Sequence, residues 1–351
     1  MQKLFFTLLP IAFFFLACNK INNNTTVAPD VASGYTVINN GNAAVSKIDT
    51  TDKIALSIDQ AIPAVSNQSY YSNTPIIFFL NDKILLSSIY DNIVVMQDQV
   101  KVKGTIYVNE SYNGNAIITF TPTDAFATGS TISIVLKKDI QGQSGNKLLG
   151  DYVISYKTLA PSLTSFDDNK DFERATPTSI TGVAFSGDGG LISGKFGSEK
   201  PFQKSRYVAI STGSAIVSAN TAIGNISSMM YLGPINSDIS SFSFEYDFIS
   251  CEFNEYVGKR TDDAAIVTIY GPKGSYTELV TSVNQVGVAG NTADSIPKLP
   301  DGGDNYVGHT GWLRKSISFK NVGTPAFIIF TVTNVADKQL TSILAIDSLA
   351  Y

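Results

Sequence analysis

The sequence predicts an all-β protein, an N-terminal Ig-like β-sandwich followed by a C-terminal jelly-roll-like β-sandwich. Three observations carry that prediction. First, from about residue 53 the chain is a succession of short runs rich in Ile, Val, Phe, Tyr and Thr, separated by turn residues such as Asn81-Asp82, Asn113-Gly114-Asn115 and Gly145-Asn146. Second, the clearest run, Phe242-Ser243-Phe244-Glu245-Tyr246-Asp247-Phe248, alternates at period two, with aromatics on one face and Ser, Glu and Asp on the other. Third, no stretch keeps a helical period for more than a turn or two. The 21 Phe and 16 Tyr and the low charged fraction of 16%, against roughly 25% in an average domain, fit sandwich cores. At roughly 150 residues per domain, 351 residues make two folded units.

The same composition removes several chemistries. With one His and two Cys, the chain has too few ligands for a His-based zinc site and too few thiols for a disulfide scaffold. One His still allows a Ser-His-Asp triad or a single general base, so enzymes are narrowed and not eliminated. A net charge of −5 gives nucleic acid no electrostatic footprint.

The N-terminus reads as a leader over residues 1–17. Lys3 precedes an uncharged, almost wholly apolar run from Leu4 to Ala17. As a helix that run rises about 21 Å, short of the roughly 30 Å hydrocarbon core, so a signal peptide fits better than a membrane span. Phe15-Leu16-Ala17-Cys18 resembles a bacterial lipobox, with Phe15 where Leu is usual. The resemblance implies that Cys18 becomes the lipidated first residue of the mature protein. Several acyl chains at about 0.8 kcal/mol per buried methylene make a durable anchor. Asn19 after the Cys implies sorting to the outer membrane, and the membrane face is left open. An ordinary signal peptide with a chance Cys is the alternative.

Residues 18–52 are rich in Asn, Thr, Ser, Ala and Gly and read as a flexible tether with a root-mean-square reach of about 30 Å. A strand over Gly34-Tyr35-Thr36-Val37-Ile38 is the competing reading. Over 53–158, strands are expected at Ile54–Ile58, Pro75–Leu80, Ile93–Met96, Val102–Val108, Ala116–Phe120, Thr131–Leu136 and Tyr152–Tyr156, the count of an Ig-like sandwich. Five features in order carry a resemblance: Ile76-Ile77-Phe78-Phe79-Leu80-Asn81-Asp82, Ile118 to Pro122, Thr128-Gly129-Ser130-Thr131, Asp139-Ile140 with Ser144 to Leu148, and Tyr156-Lys157-Thr158. They resemble the bacterial Ig-like domain first described in the S-layer protein SbsA, whose members are implied to be spacers or binding modules. Nothing functional carries over to the Asn81-Asp82 turn.

Leu159 to Ser165 reads as a short joint, and residues 166–351 as the second sandwich. Strands are expected at Tyr207–Ser211, Phe242–Phe248, Ala265–Tyr270, Ser316–Phe319, Phe327–Val332 and Ile343–Ile346 among about ten. Asp171-Phe172-Glu173, the Phe248 to Phe253 segment, Gly311-Trp312 and Ala345 to Leu349 resemble, more loosely, jelly-roll modules of surface proteins and carbohydrate-active enzymes. Gly187-Asp188-Gly189-Gly190 reads as a hairpin turn.

Four places could hold chemistry. Asp167, Asn169 and Asp171 alternate oxygen donors suited to Ca²⁺, although the spacing is not that of an EF-hand. The jelly-roll resemblance adds Glu173 and Asp347 as a structural calcium site. A solvated acidic turn is the alternative. Glu252, Glu255, Asp262 and Asp263 could serve as acid and base of a glycan hydrolase, or could simply be a polar edge. Trp312 could be a sugar-stacking platform or a core residue. Glu252 and Asp262 join Trp312 as candidate ligand contacts. His309 reads as a surface loop residue, and Cys251 as a buried thiol. The sequence thus predicts a lipid-anchored, non-enzymatic envelope protein whose sandwiches bind a glycan or another envelope protein. A glycan hydrolase and a purely structural spacer are the rivals.

Overall fold

The apolar runs become strands. The computed structural model describes residues 25–26, 35–39, 43–44, 55–64, 69–110, 115–160, 165–166, 170–173, 180–194, 200–213, 227–293, 307–336 and 340–351. The leader, Cys18, Asp167, Asp168 and Asn169 lie outside the described residues. Among the described residues no helix is long and apolar enough to cross a membrane.

The Ig-like unit has two main sheets. One runs Thr25–Thr26, Tyr35–Asn39, Gly104–Glu110, Ala116–Pro122, Ile76–Leu80, Ile58–Ile62; the other Ser69–Tyr71, Tyr152–Leu159, Thr131–Leu136, Ile93–Gln97, Val100–Lys101. Two sequence expectations change here. The 18–52 segment is not all tether: Tyr35–Asn39 pairs in parallel with Gly104–Glu110. It is held by Tyr35, 1% exposed, edge-on to Phe120 at 5.4 Å and accepting a hydrogen bond from Val95 N at 2.9 Å. The first strand of the 53–158 unit is Ile58–Ile62, not Ile54–Ile58. Asn81 explains the shift, because its side chain accepts from Ser57 N and donates to Ala55 O, occupying backbone groups that a ladder would need.

The second unit is a jelly-roll-like sandwich. Its five-stranded sheet runs Val183–Ser186, Ser227–Ile235, Ala326–Thr333, Ala264–Gly271, Gly274–Ser282. Its seven-stranded sheet runs Asp188–Ser193, Arg206–Ser211, Ser342–Ala350, Ser241–Ser250, then Gly308–His309 and Thr292–Ala293, with Leu313–Ser318 also on Ser241–Ser250. The Gly187 turn is not a hairpin. Val183–Ser186 and Asp188–Ser193 belong to opposite sheets, and Gly187 turns the corner at φ +89°, with no room for a Cβ against Ser228.

The two units are stacked sheet on sheet. Along the five-stranded sheet, Met230, Leu232, Ala265, Val267, Ile328 and Phe330 face the second unit's own core. Their neighbours Met229, Tyr231, Ala264, Ile266 and Ile329 join the core cluster of the Ig-like unit. Ile76–Leu80 is buried at every position because each face has a partner. Hydrogen bonds cross the seam from Thr74 to Tyr231 (2.8 Å), from Gln60 to Thr333 (3.0 Å) and between Thr121 and Ser275 (2.6 Å), and Arg260 reaches Asp59 and Ser57. An apolar seam of this kind holds the units as one body.

Candidate functional site on the outward face of the seven-stranded sheet

Period two builds this face. Phe242, Phe244, Tyr246 and Phe248 of Ser241–Ser250 enter the core, which leaves Ser243, Glu245, Asp247, Ile249 and Cys251 to the other side. Ile249 and Cys251 form a small second cluster with Tyr207, Ala209, Ile343 and Ala345. Cys251 is 2% exposed, as expected of a thiol behind an apolar strand.

The edge of the sheet breaks at Gly311, φ +66°, between Gly308–His309 and Leu313–Ser318. Just before the break, fully buried Asp247 takes Thr310 Oγ1 on Oδ1 and His309 Nδ1 on Oδ2, both at 2.9 Å. His309 is therefore a half-buried strand residue and not a loop residue. The sequence hid this because Asp247 lies 62 positions away.

Just after the break stands Trp312. Its indole Nε1 donates to Lys200 O at 2.8 Å, its ring meets Tyr207 edge-on at 5.6 Å, and Phe202 lies 6.1 Å away. Trp312 is half-buried against the small cluster and outside the main core, while Phe202 keeps 42% of its surface exposed. A ring fixed at its N–H, its edge and one side is a prepared stacking surface.

Farther along, Glu245 sits directly across from Asp347 on the neighbouring strand, an unfavourable like-charged pairing that needs compensation. Arg314 supplies it to Glu245 at 3.5 Å. Asp347 receives Gln203 N at 3.0 Å and Ser348 N at 2.7 Å. Burial pushes its carboxyl up to about 6, those bonds only partly offset this, and the charge of Glu173 adds to the rise. Burial also opposes ionisation of Glu173. There the bonds from Ser205 N, Ser205 Oγ and Arg206 N outweigh it and the carboxyl is held below the usual range. Asp171 is lowered chiefly by its hydrogen bond from Lys204. The structure thus gathers Asp171, Glu173 and Asp347 of the calcium expectation around the Gln203–Arg206 loop. The groups now on them are N–H and hydroxyl donors and an ammonium, and the described residues hold no cluster of three or more acidic, His or Cys side chains able to bind a metal.

The other acidic set serves the fold. Glu252 and Asp263 are fully buried. Asp263 accepts from Val335 N at 3.1 Å and Ser342 Oγ at 2.7 Å, and Glu252 accepts from Asp263 N at 3.4 Å. Asp262 takes Asn284 N at 2.8 Å and is raised by burial. It lines a small crevice at the seam, beside Arg260 and Asp59. Glu255 alone is exposed, so these acids do not converge on one open cleft.

Residues 52–158 match the family described as the bacterial Ig-like domain, which places a domain of that class in the N-terminal unit. No curated protein matches the chain. Among solved structures, the K2 cleaved adhesin domain of Lys-gingipain is 10% identical over 51% of this chain and 94% of that one, with a TM-score of 0.33. A carbohydrate-binding module, CBM28, specific for non-crystalline cellulose is 8% identical over 53% and 94%, with a TM-score of 0.30. The N-terminal part of the S-layer protein SbsC is 14% identical over 51% and 40%, with a TM-score of 0.27. None of these likenesses bears on what the chain does.

Proposed function

We propose that this is a non-enzymatic outer-membrane lipoprotein, anchored through Cys18, that holds an SbsA-type Ig-like domain and a jelly-roll domain at the envelope and binds a glycan on the outward face of the seven-stranded sheet. The observation that carries the binding role is Trp312, pinned by Lys200 O and Tyr207 with Phe202 exposed beside it. Burial of Glu252, Asp262 and Asp263, each engaged by backbone or hydroxyl donors, favours binding over glycan hydrolysis. In place of independent beads behind a tether, the proposal has one two-domain body reaching from the membrane, with its boundaries near 53–158 and 166–351. A glycan array probed with the full chain in detergent tests it, alongside Trp312→Ala. Binding by the parent chain that the variant loses supports the proposal, whereas an empty array leaves a structural spacer. Cys18→Ala should abolish incorporation of labelled palmitate and release the protein from membranes, and membrane retention without label would remove the anchor.

Calcium belongs to the proposal at Asp171, Glu173 and Asp347, supported by their gathering around the Gln203–Arg206 loop. There it would displace Lys204 from Asp171 and the N–H donors from Glu173 and Asp347 and tie the domain's first and last segments together.

A further inference from the structure

The proposed glycan face has a polarity of its own, set by which charged groups reach its surface. Three carboxylates lie beneath it: the side chains of Glu245 and Asp247 are 8% and 0% exposed, and Asp347 is fully buried, whereas Asp171, 32% exposed, reaches the surface paired with Lys204. Cations stand above. The side chains of Lys204 and Arg314 are 60% and 62% exposed, and Lys200 is exposed as well. All three belong to the Trp312 platform. Lys200 gives its carbonyl to the indole, Arg314 follows two positions along the same edge, and Lys204 adjoins Gln203, whose N–H meets Asp347.

The half-buried and buried partners of Lys204 and Arg314, Asp171 and Glu245, do not exhaust them. An ammonium has three donors and a guanidinium five, and Arg314 is engaged by Ser243 Oγ at 3.0 Å and Glu245 at 3.5 Å. A ligand resting on Trp312 and Phe202 therefore meets hydrogen-bond donors at its rim, while the carboxylates of Glu245, Asp247 and Asp347 face inward. Neutral sugars need both donors and acceptors at a binding surface. Sugars bearing carboxylate or sulfate offer acceptors alone at those positions, and charge-assisted bonds to them are the stronger kind. This face stands out on a chain whose net charge is −5.

Building on the glycan-binding reading, we infer that the ligand is an acidic glycan, its sugar ring stacked on Trp312 and its carboxylate or sulfate held by Lys200, Lys204 and Arg314. The full chain in detergent is titrated with oligogalacturonate, a sulfated dextran oligosaccharide and a neutral galactan oligosaccharide at low and high salt. An acidic probe should bind at least about tenfold tighter than the neutral one at low salt, with the preference shrinking as salt rises. The carboxylated and sulfated arms tell the two anions apart. Arg314→Gln should bring the ratio toward one. Lys200→Gln, which changes an exposed side chain, should do so in part and guards against a folding defect in the first variant. Equal or tighter binding of the neutral glycan would overturn the inference and leave the glycan-binding reading standing, as would a preference that ignores salt and both substitutions. Binding of no probe, together with an empty array, would remove both.

Discussion

Tyr231→Ala is the sharpest perturbation of the seam between the two units. The side chain is fully buried, its ring is edge-on to Tyr71 at 4.7 Å, and its hydroxyl is 2.8 Å from Thr74 Oγ1. Truncating a buried aromatic costs about 3–5 kcal/mol, of which the ring pair accounts for about 1 kcal/mol. Leaving the Thr74 hydroxyl, in a residue 4% exposed, without its partner adds about 1 kcal/mol more. We therefore expect a loss of about 4–6 kcal/mol, a large share of the roughly 5–15 kcal/mol typical of folded domains. Urea denaturation followed by far-UV circular dichroism measures it. The parent chain should unfold in one transition, because either unit alone would expose the other's apolar sheet face. The variant should unfold earlier and in two steps. Tyr231→Phe should lose only about 1 kcal/mol, and a cycle with Thr74→Val should return a coupling of about that size. A single unshifted transition in Tyr231→Ala would refute the one-body account.

Three further predictions follow from individual residues. Burial raises the Asp262 carboxyl, so between the unfolded value near 3.9 and the raised folded value the native state binds more protons than the unfolded chain. Stability should then fall as pH climbs through that window. Asp262→Asn keeps the acceptor for Asn284 N and should flatten the profile of urea midpoint against pH, whereas identical slopes would contradict the assignment. Calcium should raise the melting temperature and a chelator should reverse it, and an unchanged melt would remove calcium from Asp171, Glu173 and Asp347. Gly187→Ala, which forces a Cβ against Ser228 at φ +89°, should cost about 1–3 kcal/mol in thermal unfolding, and a neutral result would mean the corner relaxes easily.

The all-β class and most strands were legible because they rest on local alternation, as in Phe242 to Phe248. The stacking of the units left a trace in the unbroken apolar run Ile76 to Leu80, which reads as a strand without revealing that a second domain covers its far face. The Tyr35–Asn39 strand stayed open because its stability comes from Phe120 and Val95, distant in sequence. Gly187 carries the local signature of a hairpin, and only pairing to opposite sheets makes it a corner. At the site, the aromatic residue was visible as the sole Trp, but its bracing by Lys200 and Tyr207 was not. The Asp247–His309 contact had no local signal at all. Glu252, Asp262 and Asp263 show the opposite failure, since a cluster of acids looks alike in sequence whether it faces a substrate or caps buried backbone N–H groups.

Trp312 is the only tryptophan of the chain, so its intrinsic fluorescence reports on the proposed binding face and nothing else. Titrating the full chain with the best-bound glycan should shift and quench that emission along a saturable curve whose midpoint equals the affinity measured calorimetrically. Replacing Phe202, the exposed ring beside it, by Ala should weaken the binding by about tenfold. Calorimetric binding with an emission that does not change would place the ligand elsewhere and contradict the account.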